Sequence, residues 1–196
     1  MALAPGLRDP VHDAQGVFRA VMDALARPGR VQALAVALAP PAPLTPELAA
    51  VALTLADADA PLWLDAPLAA RPEVAAFLRF HTGAPVVADP VEAAFALVAD
   101  PARCPDFSDF AQGTPAYPDR SATLVLGLDR LSEESGLVLE GPGLRGRARL
   151  SAAPLPPDFA ARLSANHARF PLGIDLLLAA PGRLAGLPRS TRATEG

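Results

Sequence analysis

An arginine, a histidine and a threonine fall within four positions, at Arg79, His81 and Thr82 in the stretch Leu78-Arg79-Phe80-His81-Thr82-Gly83-Ala84-Pro85. A guanidinium and an imidazole this close can share one oxyanion, the arginine offering forked donors to a phosphate or phosphonate oxygen and the histidine adding a hydrogen bond. The same stretch reads equally as the last turn of a helix. There the two cations meet the negative end of the helix dipole, Phe80 joins the core and Gly83 stops the helix. Residue types alone leave both readings standing.

Other groups able to do chemistry are sparse. Asp57 and Asp59 would share a face if Asp57-Ala58-Asp59-Ala60-Pro61 is extended, an arrangement suited to a metal or a ribose hydroxyl. The plainer reading is a helix exit and a turn before Pro61. None of His12, His81 and His167 has a second ligand two to four positions away, so a zinc site would need distant segments, with Cys104 or acids. No G-x-S-x-G motif occurs, and Cys104, between Arg103 and Pro105, has no histidine near it in sequence. Residues 141–146, GPGLRG, match the letters of a dinucleotide fingerprint. Their surroundings suit a β-hairpin better than a strand leading into a helix, which makes the match accidental.

Composition excludes more than it offers. All 17 cationic residues are arginine, and a chain without lysine has no Walker A lysine, no Schiff-base lysine for pyridoxal phosphate and no lysine general base. A net charge of −4 argues against a general nucleic-acid binder, since no global positive field would draw in a phosphate backbone. A single cysteine forbids an internal disulfide. The first residues carry charge and proline where a secretory signal needs an apolar run. Every apolar stretch is interrupted before the ~18 residues a membrane span requires. The expectation is a soluble cytoplasmic protein with no membrane contact.

With 196 residues, 51% of them hydrophobic and only 5% aromatic, the chain suits one domain packed from small aliphatic side chains. Residues 1–8 and 193–196 read as flexible ends around a single domain at 9–192. Val17, Val21 and Leu25 recur at helical spacing between Pro10 and Gly29, predicting a helix over 10–27. Thr45-Pro46-Glu47 starts a second helix running to 56, and Pro72-Glu73 a third that ends at Gly83. Residues 157–169 form a fourth, and 105–111 a short one. Strands are expected at 31–38, 62–64, 93–98, 123–128, 136–140, 144–150, 174–179 and 184–187. In the strand at 144–150, Arg145, Arg147 and Arg149 should line one face. Helices early, strands late and no repeat indicate an α/β domain with a mixed sheet flanked by helices.

Five separated segments, in one order along nearly the whole chain, carry a family resemblance: DAQGVFRAVMDALARPG at 13–29, LTLADADAPLWL at 53–64, LRFHTGAP at 78–85, FPLGIDLLL at 170–178 and LPRST at 187–191. They resemble PhnH, a subunit of the bacterial carbon-phosphorus lyase machinery for phosphonate metabolism. Residues 100–120 and 130–150 match only in pattern, and Ser190 stands where a threonine is expected. The resemblance implies a reduced version of the pyridoxal-phosphate-dependent transferase fold; with no lysine, no such cofactor is expected. It also implies a homodimer in isolation, partner proteins PhnG, PhnI, PhnJ and PhnL, and a step that makes alpha-D-ribose 1-methylphosphonate 5-triphosphate from ATP and methylphosphonate. Two roles follow. The chain is a non-catalytic partner subunit, or it contributes a site in which Arg79, His81 and Arg189 hold phosphate or phosphonate oxygens and Asp57 or Asp59 contacts ribose. Asp175 lies in an otherwise apolar run and needs a partner. An Asp175–Arg189 ion pair therefore competes with ligand binding by Arg189.

Overall fold

The computed structural model describes residues 3–196. Helix α1 (Pro10–Ala26) begins where Asp9 accepts the N–H groups of Val11 and His12 and where Pro10 has no donor to satisfy. After strand β1 (Gln32–Ala33) comes α2 (Pro46–Leu55), capped by Thr45, whose Oγ1 accepts the Leu48 N–H. Strand β2 (Leu62–Leu64), α3 (Ala66–Ala69) and α4 (Pro72–Thr82) follow, and Gly83 ends α4 in the left-handed conformation at φ 73°, which glycine adopts at little cost. Strands β3 (Val86–Val87) and β4 (Phe95–Val98) lead into two 3₁₀ turns at Pro101–Arg103 and Phe107–Asp109. The remainder is β5 (Thr123–Gly127), β6 (Arg130–Glu140), β7 (Ala148–Ala153), α5 (Phe159–His167), β8 (Asp175–Ala180), β9 (Arg183–Leu187) and β10 (Arg192–Thr194).

A seven-stranded mixed sheet in the order β1-β9-β8-β5-β4-β2-β3 organises the chain. Strands β8, β5, β4, β2 and β3 run parallel, while β9 is antiparallel to both its neighbours. The sequences FALV, TLVLG and DLLLAA are nearly continuous apolar runs, as strands covered on both faces require. Alternate side chains feed two cores. Leu97, Val125, Leu177 and Leu184 meet α1, α2 and α4; Ala96, Val98, Leu124, Leu126, Leu176 and Leu178 meet α5, the 3₁₀ turns and a three-stranded sheet, β10-β6-β7. The expected α/β class with a mixed sheet is what the chain adopts.

Several local expectations need correction. The strand foreseen at 31–38 pairs only at Gln32 and Ala33, because its partner β9 starts at Arg183; Leu34 N–H makes one further bond to Gly182 O. Beyond that point the segment is extended without a neighbour. The helix at 105–111 is a single 3₁₀ turn. Only Arg149 of the three alternating arginines lies in β7; Arg145 and Arg147 sit in the preceding turn, and Arg147 pairs with Glu140. Phe80 is 72% exposed rather than in the core, since α4 buries Val74, Phe77 and Leu78 instead. Residues 3–8 run back along α4, and β10 covers 192–194.

Candidate functional site

The residues singled out in sequence do not meet. His81, in the last turn of α4, places Nε2 3.0 Å from the Ala4 carbonyl, to which it donates. Its ring lies edge-on to Phe77 and Phe80, and a Cβ on Gly6 would come within 2.8 Å of its Nδ1. The imidazole is thus a tie for residues 4–6. Beside it, the Thr82 hydroxyl donates to Leu78 O and accepts the Ala84 N–H, closing the helix end. Arg79 is exposed and pairs with nothing among the described residues. Asp57 and Asp59 are both exposed, and Asp57 Oδ1 accepts the Asp59 N–H at 2.9 Å, which is a turn built by an aspartate on its own backbone.

Arg189 is fully engaged within the chain. Nε and Nη2 grip the two oxygens of Asp175, Nη2 also reaches Ser121 Oγ, and Nη1 donates to Pro118 O and Pro171 O. A guanidinium has five N–H donors, and these contacts use all five. The Asp175–Arg189 ion pair expected from sequence is present.

All of these groups lie at the amino ends of the parallel strands. Asp57 and Asp59 precede β2, Arg79 and His81 precede β3, and Arg189 is bound to the first residue of β8. Three strand spacings separate β8 from β2, roughly 14 Å. Ligands of open α/β sheets bind outside the carboxyl ends, in the crevice where neighbouring strands send their chains to opposite faces.

Here that divergence falls between β2 and β4. From β2 the chain passes to α3 and α4 over one core, and from β4 to Cys104 and Phe107 over the other. Asp65 occupies the crevice, only 5% exposed. Its Oδ1 accepts the Leu68 N–H and its Oδ2 the Asp100 N–H at 2.8 Å, stitching the two strand ends together. Burial raises its pKa above the ordinary carboxylate value, against the lowering effect of those donors. Cys104 nearby is also buried, and desolvation pushes its thiol up to about 12. Neither group is set up as a base or nucleophile.

Sequence reasoning missed a groove one step along the same carboxyl edge. It has a volume of about 520 Å³ and lies between the ends of β5 and β8 and the near face of β6–β7, lined by Asp129, Arg130, Ser132, Ser151, Pro181 and Arg183 among others. Ser132 and Ser151 face each other across the β6–β7 register. Arg183 Nη1 donates to Leu131 O at 3.0 Å, which fixes the guanidinium against the wall. A second hollow of about 450 Å³ adjoins it and shares Ser132 and Arg183. The available signal was the pattern itself: the apolar runs of β5 and β8 each end in a turn that delivers an arginine, Asp129-Arg130 and Pro181-Gly182-Arg183.

The bacterial phosphonate metabolism protein family (PhnH) matches residues 5–194. The chain belongs to the PhnH family. Among its relatives is the alpha-D-ribose 1-methylphosphonate 5-triphosphate synthase subunit PhnH of Rhizobium meliloti (strain 1021), 44% identical over 184 residues, covering 94% of this chain and 92% of that one. A shorter match, 35% over 79 residues and 40% of each chain, is to the "Putative C-P lyase subunit protein HtxG" of Stutzerimonas stutzeri. Both relatives are named as subunits of a larger assembly. No helix among the described residues is long and apolar enough to cross a membrane.

Proposed function

We propose that this chain is a subunit of an alpha-D-ribose 1-methylphosphonate 5-triphosphate synthase, required with its partners but without catalytic activity alone. The observation that carries the proposal is the 44% identity to the Rhizobium meliloti subunit along 94% of the chain. In the reaction of ATP with methylphosphonate that the family resemblance implies, the bond from ribose C1′ to adenine breaks and one from C1′ to a phosphonate oxygen forms. Adenine leaves with the bonding pair and takes up a proton.

Several features support a supporting rather than a chemical role. Among the described residues no three His, Cys, Asp or Glu side chains gather as metal ligands. All three histidines are engaged: His12 with Asp9, His81 with Ala4 O, and His167 between Arg189 O and the Arg192 guanidinium. Asp65 spends both oxygens on backbone donors. The alternative site built from Arg79, His81, Asp57, Asp59 and Arg189 would have to span several strands, with Arg189 giving up its present bonds. The reduced pyridoxal-phosphate-dependent transferase fold that the family resemblance implies stays a proposal beside the mixed seven-stranded sheet. With no lysine in the sequence to anchor pyridoxal phosphate, no cofactor is assigned.

The proposed partners are PhnG, PhnI, PhnJ and PhnL proteins, with a homodimer in isolation and a cytoplasmic setting where ATP is available. An assembly role is supported by α1. Its inner face buries Val17, Val21 and Ala24, yet Val11, Phe18 and Met22 form a second apolar stripe that is 61%, 49% and 51% exposed. Co-expression with the partner proteins of its own organism tests the reading. The chain should co-purify with them, and a Phe18→Asp/Met22→Asp variant should fold yet lose association. A wild-type chain that elutes free of all four partners would refute the proposal.

A further inference from the structure

We propose that the groove at the carboxyl ends of β5 and β8 binds a phosphate- or phosphonate-bearing small molecule through Arg130 and Arg183, with the Ser132 and Ser151 hydroxyls as additional donors. The placement comes first: the hollow lies at the carboxyl edge of the parallel sheet, beside the crevice between β2 and β4. A volume of about 520 Å³ falls in the range that encloses nucleotide-sized molecules.

Charge supplies the second argument. Arg27, Arg30, Arg71, Arg147 and Arg189 each pair with a carboxylate. Arg130 and Arg183 both line one groove, and neither has a carboxylate within 4.0 Å among the described residues. Both are exposed, and an anion held between two guanidinium groups on one groove gains from both charges. Arg183 uses one donor to hold Leu131 O, which leaves four unbonded; Arg130 has all five free among the described residues. Forked donors of this kind match the tetrahedral oxygens of phosphate and phosphonate.

Asp129 lines the same groove and would repel an anion placed against it. It suits a ligand that is anionic at one end and hydroxylated at the other, because a carboxylate accepts from sugar hydroxyls. The shared chemistry is therefore a tetrahedral oxyanion, whether on a nucleotide tail or on a free phosphonate. The inference goes beyond the subunit role and stands whether or not the chain is catalytic within its complex.

Calorimetric titration of the full chain at low salt tests it, with ATP, tripolyphosphate, methylphosphonate and adenosine as separate probes. At least one oxyanion probe should saturate, and adenosine should bind far more weakly than ATP. Tripolyphosphate binding like ATP identifies a nucleotide tail; methylphosphonate binding more tightly than tripolyphosphate identifies a free phosphonate. Arg130→Gln, at an exposed position with no internal bond, should weaken binding on the order of 10-fold without changing the melting temperature. Arg183→Gln should do at least as much, while Arg149→Gln, outside the groove, should change nothing. No saturation by any oxyanion probe up to about 10 mM overturns the site. So does equal weakening by Arg130→Gln and Arg149→Gln, which would mean diffuse attraction.

Discussion

Arg189 separates a structural reading of the family's motifs from a ligand-binding one. The Asp175 and Arg189 side chains are only 22% and 13% exposed, so their pairing is shielded from much of the solvent. Arg189→Met keeps the apolar stem and removes two charge-assisted contacts to Asp175, from Nε at 3.1 Å and Nη2 at 2.6 Å, along with donors to Pro118 O, Pro171 O and Ser121. Breaking a fully buried pair costs roughly 3–5 kcal/mol. Here Asp175 retains the Arg189 backbone N–H at 2.8 Å and some water, which brings the expected loss to about 2–3 kcal/mol. In urea unfolding, with a slope of about 2 kcal/mol per molar, the midpoint should fall by about 1 M. Asp175→Ala also loses the backbone contact and should cost at least as much. The two changes should then be strongly non-additive, with a coupling of about 1.5–3 kcal/mol in the double variant. If Arg189→Met unfolds within about 0.5 kcal/mol of the wild type, or the singles simply add, the pair is not a tie between β8 and β9. Loss of oxyanion binding with stability unchanged would make Arg189 a ligand group and refute the structural reading.

Two further outcomes follow from the carboxyl edge of the sheet. Asp65→Asn should destabilise by roughly 1–3 kcal/mol, because the amide has one accepting oxygen and its nitrogen, a donor, would face either the Leu68 or the Asp100 N–H. The folded pKa of Asp65 lies above its ordinary 3.8, so the native state binds more protons there than the unfolded chain, and the stability it contributes falls as pH rises from 3.8 through the raised value. The gap between wild type and Asp65→Asn, read from urea midpoints across that window, should narrow with rising pH; a widening gap would reverse the assignment. Cys104, buried and pushed up to about 12, should resist iodoacetamide at pH 8 until the chain is unfolded, and rapid labelling of folded protein by mass spectrometry would contradict the burial argument.

The elements that local rules govern were legible. Pro10, Thr45-Pro46 and Pro72 each sit at a helix start, and Gly83 adopts the left-handed stop that its position suggested. The apolar runs at 123–127 and 175–180 became strands as expected. What failed depended on partners distant in sequence. Residues 31–38 alternate well enough for a strand, but pairing stops at Ala33, opposite Arg183, the first residue of β9. Residues 193–196 look like a tail because nothing local marks them, yet Ala193 and Thr194 join Arg192 in β10 by lying along Val138–Glu140. Strand direction was illegible for the same reason. Without it, the arginines at the ends of β5 and β8 were two unrelated turn residues rather than two walls of one groove.

The same dependence explains why the segments that identify the family did not locate a site. Asp57 folds its own turn, His81 ties down residues 4–6, Arg189 clamps Asp175 and the 118–121 loop, and Gly173 at φ 114° lets Asn166 hold Ile174 by both its side-chain atoms. These four residues each hold a particular piece of backbone, three of them at the amino end of the sheet. A motif that builds the fold must keep its residues whatever the protein binds. Ligand recognition, by contrast, needs polar groups that the fold has left unspent, and at the carboxyl edge Arg130 and four donors of Arg183 are so, while both Asp65 oxygens accept backbone N–H groups. In this fold, then, a candidate arginine needs both unspent donors and a place on the groove: Arg189 has none left, Arg79 has five but lies at the amino edge, and Arg183 with four and Arg130 with five line one hollow.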